Sequence, residues 1–188
     1  MDKFFGNLHL VLLAGLVAAI ALIAYIHPDS GTTINYVMRW LHVFFGITWI
    51  GLLYYFNFVQ IPTMPSVPAE LKPGVSKYIA PKALFFFRWG AAFTVLTGLT
   101  VAHLTGYLHQ ALLLEADYRL IGIGMWLALI MAFNVWVFIW PAQKIALGIV
   151  DGTPEAKAAN ARKAMIFSRT NTLLSIPMLY AMTNANLG

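Results

Sequence analysis

The stretch INYVMRWLHVFFGITWIGLLYYFNFVQ, from Ile34 to Gln60, decides the fold class. It is almost wholly apolar, and at about 1.5 Å per residue a helix of this length crosses a hydrocarbon core of about 30 Å. It lacks the alternation of apolar and polar residues that a half-buried strand shows. The stretch therefore predicts a membrane-spanning helix, and its arginine and histidine need a physical explanation.

Four further apolar stretches reach spanning length. They are about Leu8–Ile26, Ala83–Leu108, Tyr118–Trp140 and Met165–Thr183. Of the 188 residues, 60% are hydrophobic and 10% are charged, whereas about a quarter are charged in a soluble domain. We therefore predict a single all-α domain over residues 1–188. It is an integral membrane helix bundle of about five transmembrane helices, with a four-helix core plus the N-terminal helix.

Two polar connections separate these spans. The prolines of IPTMPSVP (61–68) are expected to stop the second helix, because proline cannot continue it. In DGTPEAKAANARK (151–163), Thr153 can cap a helix whose first position is Pro154. A short helix at about 153–163 is therefore expected to lie at the membrane surface.

The distribution of basic residues predicts the orientation. With five spans, ten of the twelve Lys and Arg residues fall on the side of the N-terminus, and only Arg39 and Arg119 fall on the other side. Such an excess marks the cytoplasmic side. We expect a protein of the bacterial inner membrane with a cytoplasmic N-terminus and a periplasmic C-terminus. The net charge of +5 forms no basic face, so nucleic acid is not an expected partner.

One face of the second helix carries its polar and small side chains at steps of three or four residues. This stripe is Arg39, His42, Gly46, Trp49, Leu53, Asn57 and Gln60. Ionisable groups inside a span normally face the bundle interior and mark a function. The third helix runs in the opposite direction, and its His103 is expected at nearly the same depth as His42, in the outer half of the bilayer.

Two histidines at matching depth on adjacent helices can hold a haem iron, because neutral imidazole is a common axial ligand. We therefore predict a b-type haem with His42 and His103 as iron ligands. Arg39 is placed to pair with a propionate, and Gly46 leaves room for the macrocycle, with Trp49 next on the same face. The absence of cysteine excludes thiolate ligands and c-type attachment within this chain.

Other interpretations of these side chains stay open. A histidine inside a span can simply hydrogen-bond to a neighbouring helix, and Arg39 can extend to the interface. His103 does not share the small-residue face of its helix, which is Gly90, Thr94 and Gly98.

The fifth stretch offers a rival iron ligand. Its polar and sulfur-bearing stripe is Ser168, Asn171, Ser175, Met178 and Met182. Met178 as a ligand would raise the haem potential relative to two histidines, although methionines in spans mostly pack. The serine and asparagine residues of the stripe, and Asn134 of the fourth stretch, are expected to hydrogen-bond between helices.

Several segments resemble a known family of membrane proteins. They are RWLHVFFGITWIGLLYYFNFVQIP (39–62), FFFRWGAAFTVLTG (85–98), FNVWVFIWPAQKI (133–145) and RTNTLLSIPMLYAM (169–182). Together they resemble the membrane domain of the bacterial cytochrome-c-linked urate hydroxylase family. More distantly, LHVFFGITWIGLLYY (41–55) resembles the histidine-bearing helix of the membrane protoporphyrinogen oxidase family, which is described as haem-binding.

The resemblance implies redox work, with His42 as the position that carries over best. The urate hydroxylase family typically has more spans and a C-terminal cytochrome c domain, and this chain has no cysteine to hold such a haem. The expected partners are therefore other membrane subunits and a separate periplasmic cytochrome c. Three functions stay open: electron transfer through a b-type haem, enzymatic oxidation of urate or a porphyrinogen, and a cofactor-free accessory role in a membrane complex.

Overall fold

The computed structural model describes residues 2–26 and 30–185, and all regular secondary structure in these residues is helical. Four segments are long and apolar enough to cross a membrane. They are Leu8–Ile26, Thr33–Ser66, Lys72–Thr105 and Ala116–Ala146. The predicted fold class, an all-α integral membrane helix bundle, is confirmed.

Five long helices form the architecture. They are α1 (Leu8–Ile26), α2 (Ser30–Tyr54), α3 (Ala80–Thr105), α4 (Arg119–Phe133) and α5 (Pro154–Asn184). Helix α2 packs along α3, and α5 packs along α4 and the helical turns that follow it. The central apolar core takes residues from α2, α3, α4 and α5, whereas α1 has no buried residue. The structure is thus a four-helix core with a loosely attached N-terminal helix.

Three π-helical turns extend or precede these helices, and each ends two residues before a proline. Tyr55–Gln60 precedes Pro62, Val75–Ile79 precedes Pro81, and Asn134–Ile139 precedes Pro141. A proline has no N–H to donate, and its ring collides with the carbonyl four residues earlier in an α-helix. A π turn bonds to the carbonyl five residues earlier, so the extra residue relieves this collision.

The π turns correct one prediction. The prolines of residues 61–68 do not stop the second helix at Gln60, because helical structure continues through Ile61–Thr63 and a 3₁₀ turn at Met64–Ser66. Proline thus changes the type of helical turn here without ending the helical segment.

Helix α5 is one continuous element of 31 residues. It begins where the sequence predicts, with the Thr153 hydroxyl accepting a hydrogen bond from the Ala156 N–H at 3.2 Å. It does not end near residue 163, however, and runs on to Asn184. The expected surface helix and the fifth expected span are therefore parts of the same helix.

The polarity of α5 is the reverse of that of a helix on a soluble protein. Ser168, Asn171 and Ser175 are 5%, 0% and 0% exposed, whereas Leu173 and Ile176 are 68% and 65% exposed. Together with the exposed Arg169, these inward polar residues lower the hydropathy of α5, and the expected fifth span is not one of the four candidate spans. Since a soluble helix turns its apolar stripe inward, the exposed face of α5 is one that suits hydrocarbon.

Candidate functional site

His42 is fixed by α3. Its ring is half-buried, and Nδ1 donates a hydrogen bond to the backbone carbonyl of Thr94 at 2.9 Å. The hydroxyl oxygen of Thr97 lies 3.5 Å from the same nitrogen. Because a carbonyl can only accept, Nδ1 carries the proton, and in the neutral ring Nε2 then carries the lone pair. No hydrogen bond to Nε2 is present among the described residues.

The glycine that faces this ring makes the contact possible. A Cβ atom added to Gly98 would lie 2.6 Å from Cε1 and 2.9 Å from Nδ1 of His42. Both distances are too short for any side chain at this position. The sequence placed Gly98 on the small-residue face of its helix, and that face is the one that meets α2: a Cβ atom on Gly90 would lie 3.3 Å from the backbone nitrogen of Trp49.

Arg39 lies one turn before His42 and its side chain is exposed. It is near Tyr107, in the turn after α3. Burial raises the pKa of the Tyr107 phenol, and the positive charge of Arg39 acts in the opposite direction. The Tyr107 ring is buried and stacks on Tyr118, with 5.9 Å between the ring centroids. Arg39 thus lies near this aromatic pair at the same end of the bundle, and its exposed side chain can receive an anionic group.

The structure does not bring His103 to His42. Asn35 donates a hydrogen bond to the Thr105 hydroxyl at 3.0 Å, and together with the contact between His42 and Gly98 this sets an antiparallel register. In that register His103 is level with Val37, about 7 Å along the helix axis from His42. The His103 side chain is also exposed rather than turned towards α2. The predicted pair of axial histidines is therefore not formed.

Three other predicted cofactor contacts lie in the packing of the bundle. Trp49 is 0% exposed and Met178 is 5% exposed, and both belong to the central apolar core. A Cβ atom on Gly46 would lie 3.9 Å from the Thr94 methyl group, so this glycine faces α3. These three residues pack between helices and do not surround His42.

Met178 also lies at a different depth from His42. The Tyr54 and Ser175 hydroxyls are 3.0 Å apart, and Asn57 Nδ2 donates to Ser168 Oγ at 2.8 Å. These two contacts set the register of α5 against α2 and place Met178 about 10 Å along the axis from His42. Ligation of one iron by His42 and Met178 is therefore not supported by the geometry.

A second polar region lies in the other half of the bundle. Asn134 donates to Asn171 Oδ1 at 2.9 Å, and Asn171 Nδ2 donates to the Met131 carbonyl at 2.9 Å. With the contacts of Asn57 and Ser168, these bonds join α2, α4 and α5. The prediction that Asn134 and the polar residues of the fifth stretch hydrogen-bond between helices is confirmed.

The hydrogen bonding of His42 leaves Nε2 able to contact a metal. A ring whose Nδ1–H is held by a carbonyl, with Nε2 bearing the lone pair, is the usual arrangement of a metal-binding histidine. The described residues contain no group of three or more His, Cys, Asp or Glu side chains that could hold a metal ion by themselves. Neither His103 nor Met178 lies beside His42 to supply a second ligand.

No protein-family model matches the chain. No curated protein and no solved structure gives a significant match either. The function therefore has to be argued from the site.

Proposed function

We propose that this chain is a membrane-embedded redox subunit that binds one b-type haem through His42. The observation that carries the proposal is the hydrogen bond from His42 Nδ1 to the Thr94 carbonyl. It fixes the tautomer and the ring orientation and raises the basicity of Nε2, as the second partner of a metal-bound histidine does. The resemblance of the segment around His42 to haem-binding helices supports the same assignment.

The residues of this chain would contribute binding, orientation and charge. His42 would supply the single axial ligand, and Gly98 would let its ring seat against α3. Arg39, exposed one turn away, would offer its charge to a propionate. A bound haem accepts and releases one electron, and the apolar helices around it keep water away.

The distribution of charge supports an orientation of the chain in the membrane. In a bacterial inner membrane, ten of the twelve basic residues would then face the cytoplasm, and His42 would lie in the periplasmic half. A quinol or another subunit would supply the electrons, and a periplasmic cytochrome c would receive them. The exposed apolar face of α1 offers a surface to other membrane subunits.

The absorption spectrum of the protein purified in mild detergent tests this proposal. We expect a Soret band that shifts on reduction with dithionite, because the porphyrin absorbs in this region and its spectrum responds to the oxidation state of the bound iron. The control is the same preparation expressed without haem precursor and then supplied with haemin. A folded protein that stays colourless after haemin is supplied would contradict the proposal.

One observation favours a second candidate, a cofactor-free accessory subunit. His42 already has a partner on α3, and the polar residues of α5 bond to neighbouring helices. Such contacts hold a bundle together without any cofactor. The colourless outcome of the same experiment would support this candidate.

A further inference from the structure

An apolar groove opens between α2 and α3 on the outside of the bundle. It has a volume of about 530 Å³. Six aromatic rings line it: Phe44, Phe45, Phe85, Phe86, Trp89 and Phe93. The only hydroxyl in its lining, that of Thr48, donates to the Phe44 carbonyl at 3.0 Å. A ligand that fills this groove therefore meets rings and almost no polar atoms, which suits a hydrocarbon chain.

Arg88 lies beside one of the rings that line this groove, and Lys144 lies beside the same tryptophan as Arg88. The guanidinium carbon of Arg88 is 3.8 Å from the centroid of the Trp140 ring and 5.5 Å from that of Phe85. Lys144 Nζ lies 5.8 Å from the Trp140 centroid. Phe85 thus belongs to both features, since it lines the groove and lies beside the guanidinium. We call Arg88, Trp140 and Lys144 the cation cluster.

The charge of the cation cluster is not balanced within the described part of the chain. No carboxylate pairs with Arg88 or Lys144 there, and the contacts of both cations are with aromatic rings. A charged arginine inside a span is costly, and a cation–π contact offsets part of this cost. A negative group from outside the chain would stabilise the cluster further.

The cluster lies towards the basic end of the bundle. Arg88 reaches back over Phe85, which precedes it by almost one turn of α3, and that direction leads to Lys82 and Lys77. Lys144 lies one turn beyond Trp140, in the same direction. A phosphate at this level would lie near the interface, where basic pockets between spans bind anionic headgroups.

We propose that the groove and the cation cluster together bind one phospholipid with an anionic headgroup. One acyl chain would lie along the aromatic rings of the groove. The phosphate would accept hydrogen bonds from the Arg88 guanidinium, whose planar fork suits two phosphate oxygens, and would lie near Lys144. This site is separate from His42 and does not depend on haem binding.

Native mass spectrometry of the protein exchanged into nanodiscs tests this proposal. One set of nanodiscs contains phosphatidylglycerol and the other phosphatidylcholine, with identical acyl chains. We expect the released wild-type protein to retain one phosphatidylglycerol and little phosphatidylcholine. Arg88→Gln should lower phosphatidylglycerol retention by about tenfold, because it removes a charge-assisted hydrogen bond.

The matched control is Arg162→Gln, which removes an exposed cation of α5 near the same end and should retain the lipid as the wild type does. Size-exclusion chromatography shows whether each variant is folded. If Arg88→Gln is not folded, the retention of phosphatidylglycerol by Lys144→Gln tests the proposal in its place. Equal retention of the two lipids, or unchanged retention in the folded variant, would overturn the proposal. So would an isoprenoid quinone found in place of the phospholipid.

Discussion

Gly98→Ala is expected to lower the affinity of the protein for haem by about 10–100-fold, the usual effect of disturbing the partner of a metal-bound histidine. The added methyl group would lie 2.6 Å from His42 Cε1, so the ring must move away from α3. That movement lengthens the hydrogen bond from Nδ1 to the Thr94 carbonyl, which is 2.9 Å in the wild type. Haemin titration followed by absorbance measures the affinity directly.

Gly51→Ala is the matched control for this variant. Gly51 lies in α2, and a Cβ atom added there has no atom within 4 Å. The control should therefore bind haem as tightly as the wild type, although both variants make the same chemical change. If folded Gly98→Ala and Gly51→Ala bind haem with equal affinity, the contact of His42 with α3 has no part in haem binding.

Trp49→Ala is expected to lower the free energy of unfolding by about 3–5 kcal/mol, the range for removing a buried aromatic side chain. Trp49 is 0% exposed and lies in the core that α2 shares with α3, α4 and α5. Its truncation leaves a cavity in the middle of the bundle. Unfolding by steric trapping in bicelles measures the change. Ile47→Ala, in the same helix at 68% exposure, should cost far less.

Trp49→Phe separates packing from hydrogen bonding at this position. The indole Nε1 of Trp49 is buried without a hydrogen-bond partner in the part of the chain that the structure describes. Phenylalanine keeps most of the buried area and removes this unpaired donor, so the loss should be well below that of Trp49→Ala. A similar loss in both variants would show that the indole N–H contributes to stability through a partner of its own.

Much of the bundle could be predicted from the sequence because apolar runs of spanning length have few alternatives in a membrane. The polar stripe of the fifth stretch could also be predicted, since Ser168, Asn171 and Ser175 recur at helical spacing. In the structure all three are buried. The face Gly90, Thr94 and Gly98 likewise indicated correctly which side of α3 meets its neighbour.

The pairing of the two histidines could not be predicted in the same way. Counting residues from a helix end estimates the depth of a side chain, but it does not give the direction in which that side chain points. His103 is within about two turns of His42 in depth, yet it lies on the exposed side of α3. In the sequence, His103 already lies off the small-residue face of its helix. This observation argues against a pair of His42 and His103.

The π turns were missed for a different reason. A proline lacks a backbone N–H and its ring collides with the preceding turn of an α-helix. The chain can avoid both problems by ending the helix or by changing the type of helical turn. Tertiary packing decides between the two outcomes, because the turns before Pro62 and Pro141 bring Asn57 and Asn134 into the polar contacts that join the helices. Local sequence alone does not contain those contacts.

The central claim is that His42, and not His103, supplies the haem ligand. The reduced-minus-oxidised difference spectrum of three proteins purified in parallel tests it most directly: the wild type, His42→Ala and His103→Ala. The wild type and His103→Ala are expected to show the same Soret difference band, and folded His42→Ala is expected to lose it. A full Soret difference band in folded His42→Ala would contradict the assignment of His42 as the haem ligand.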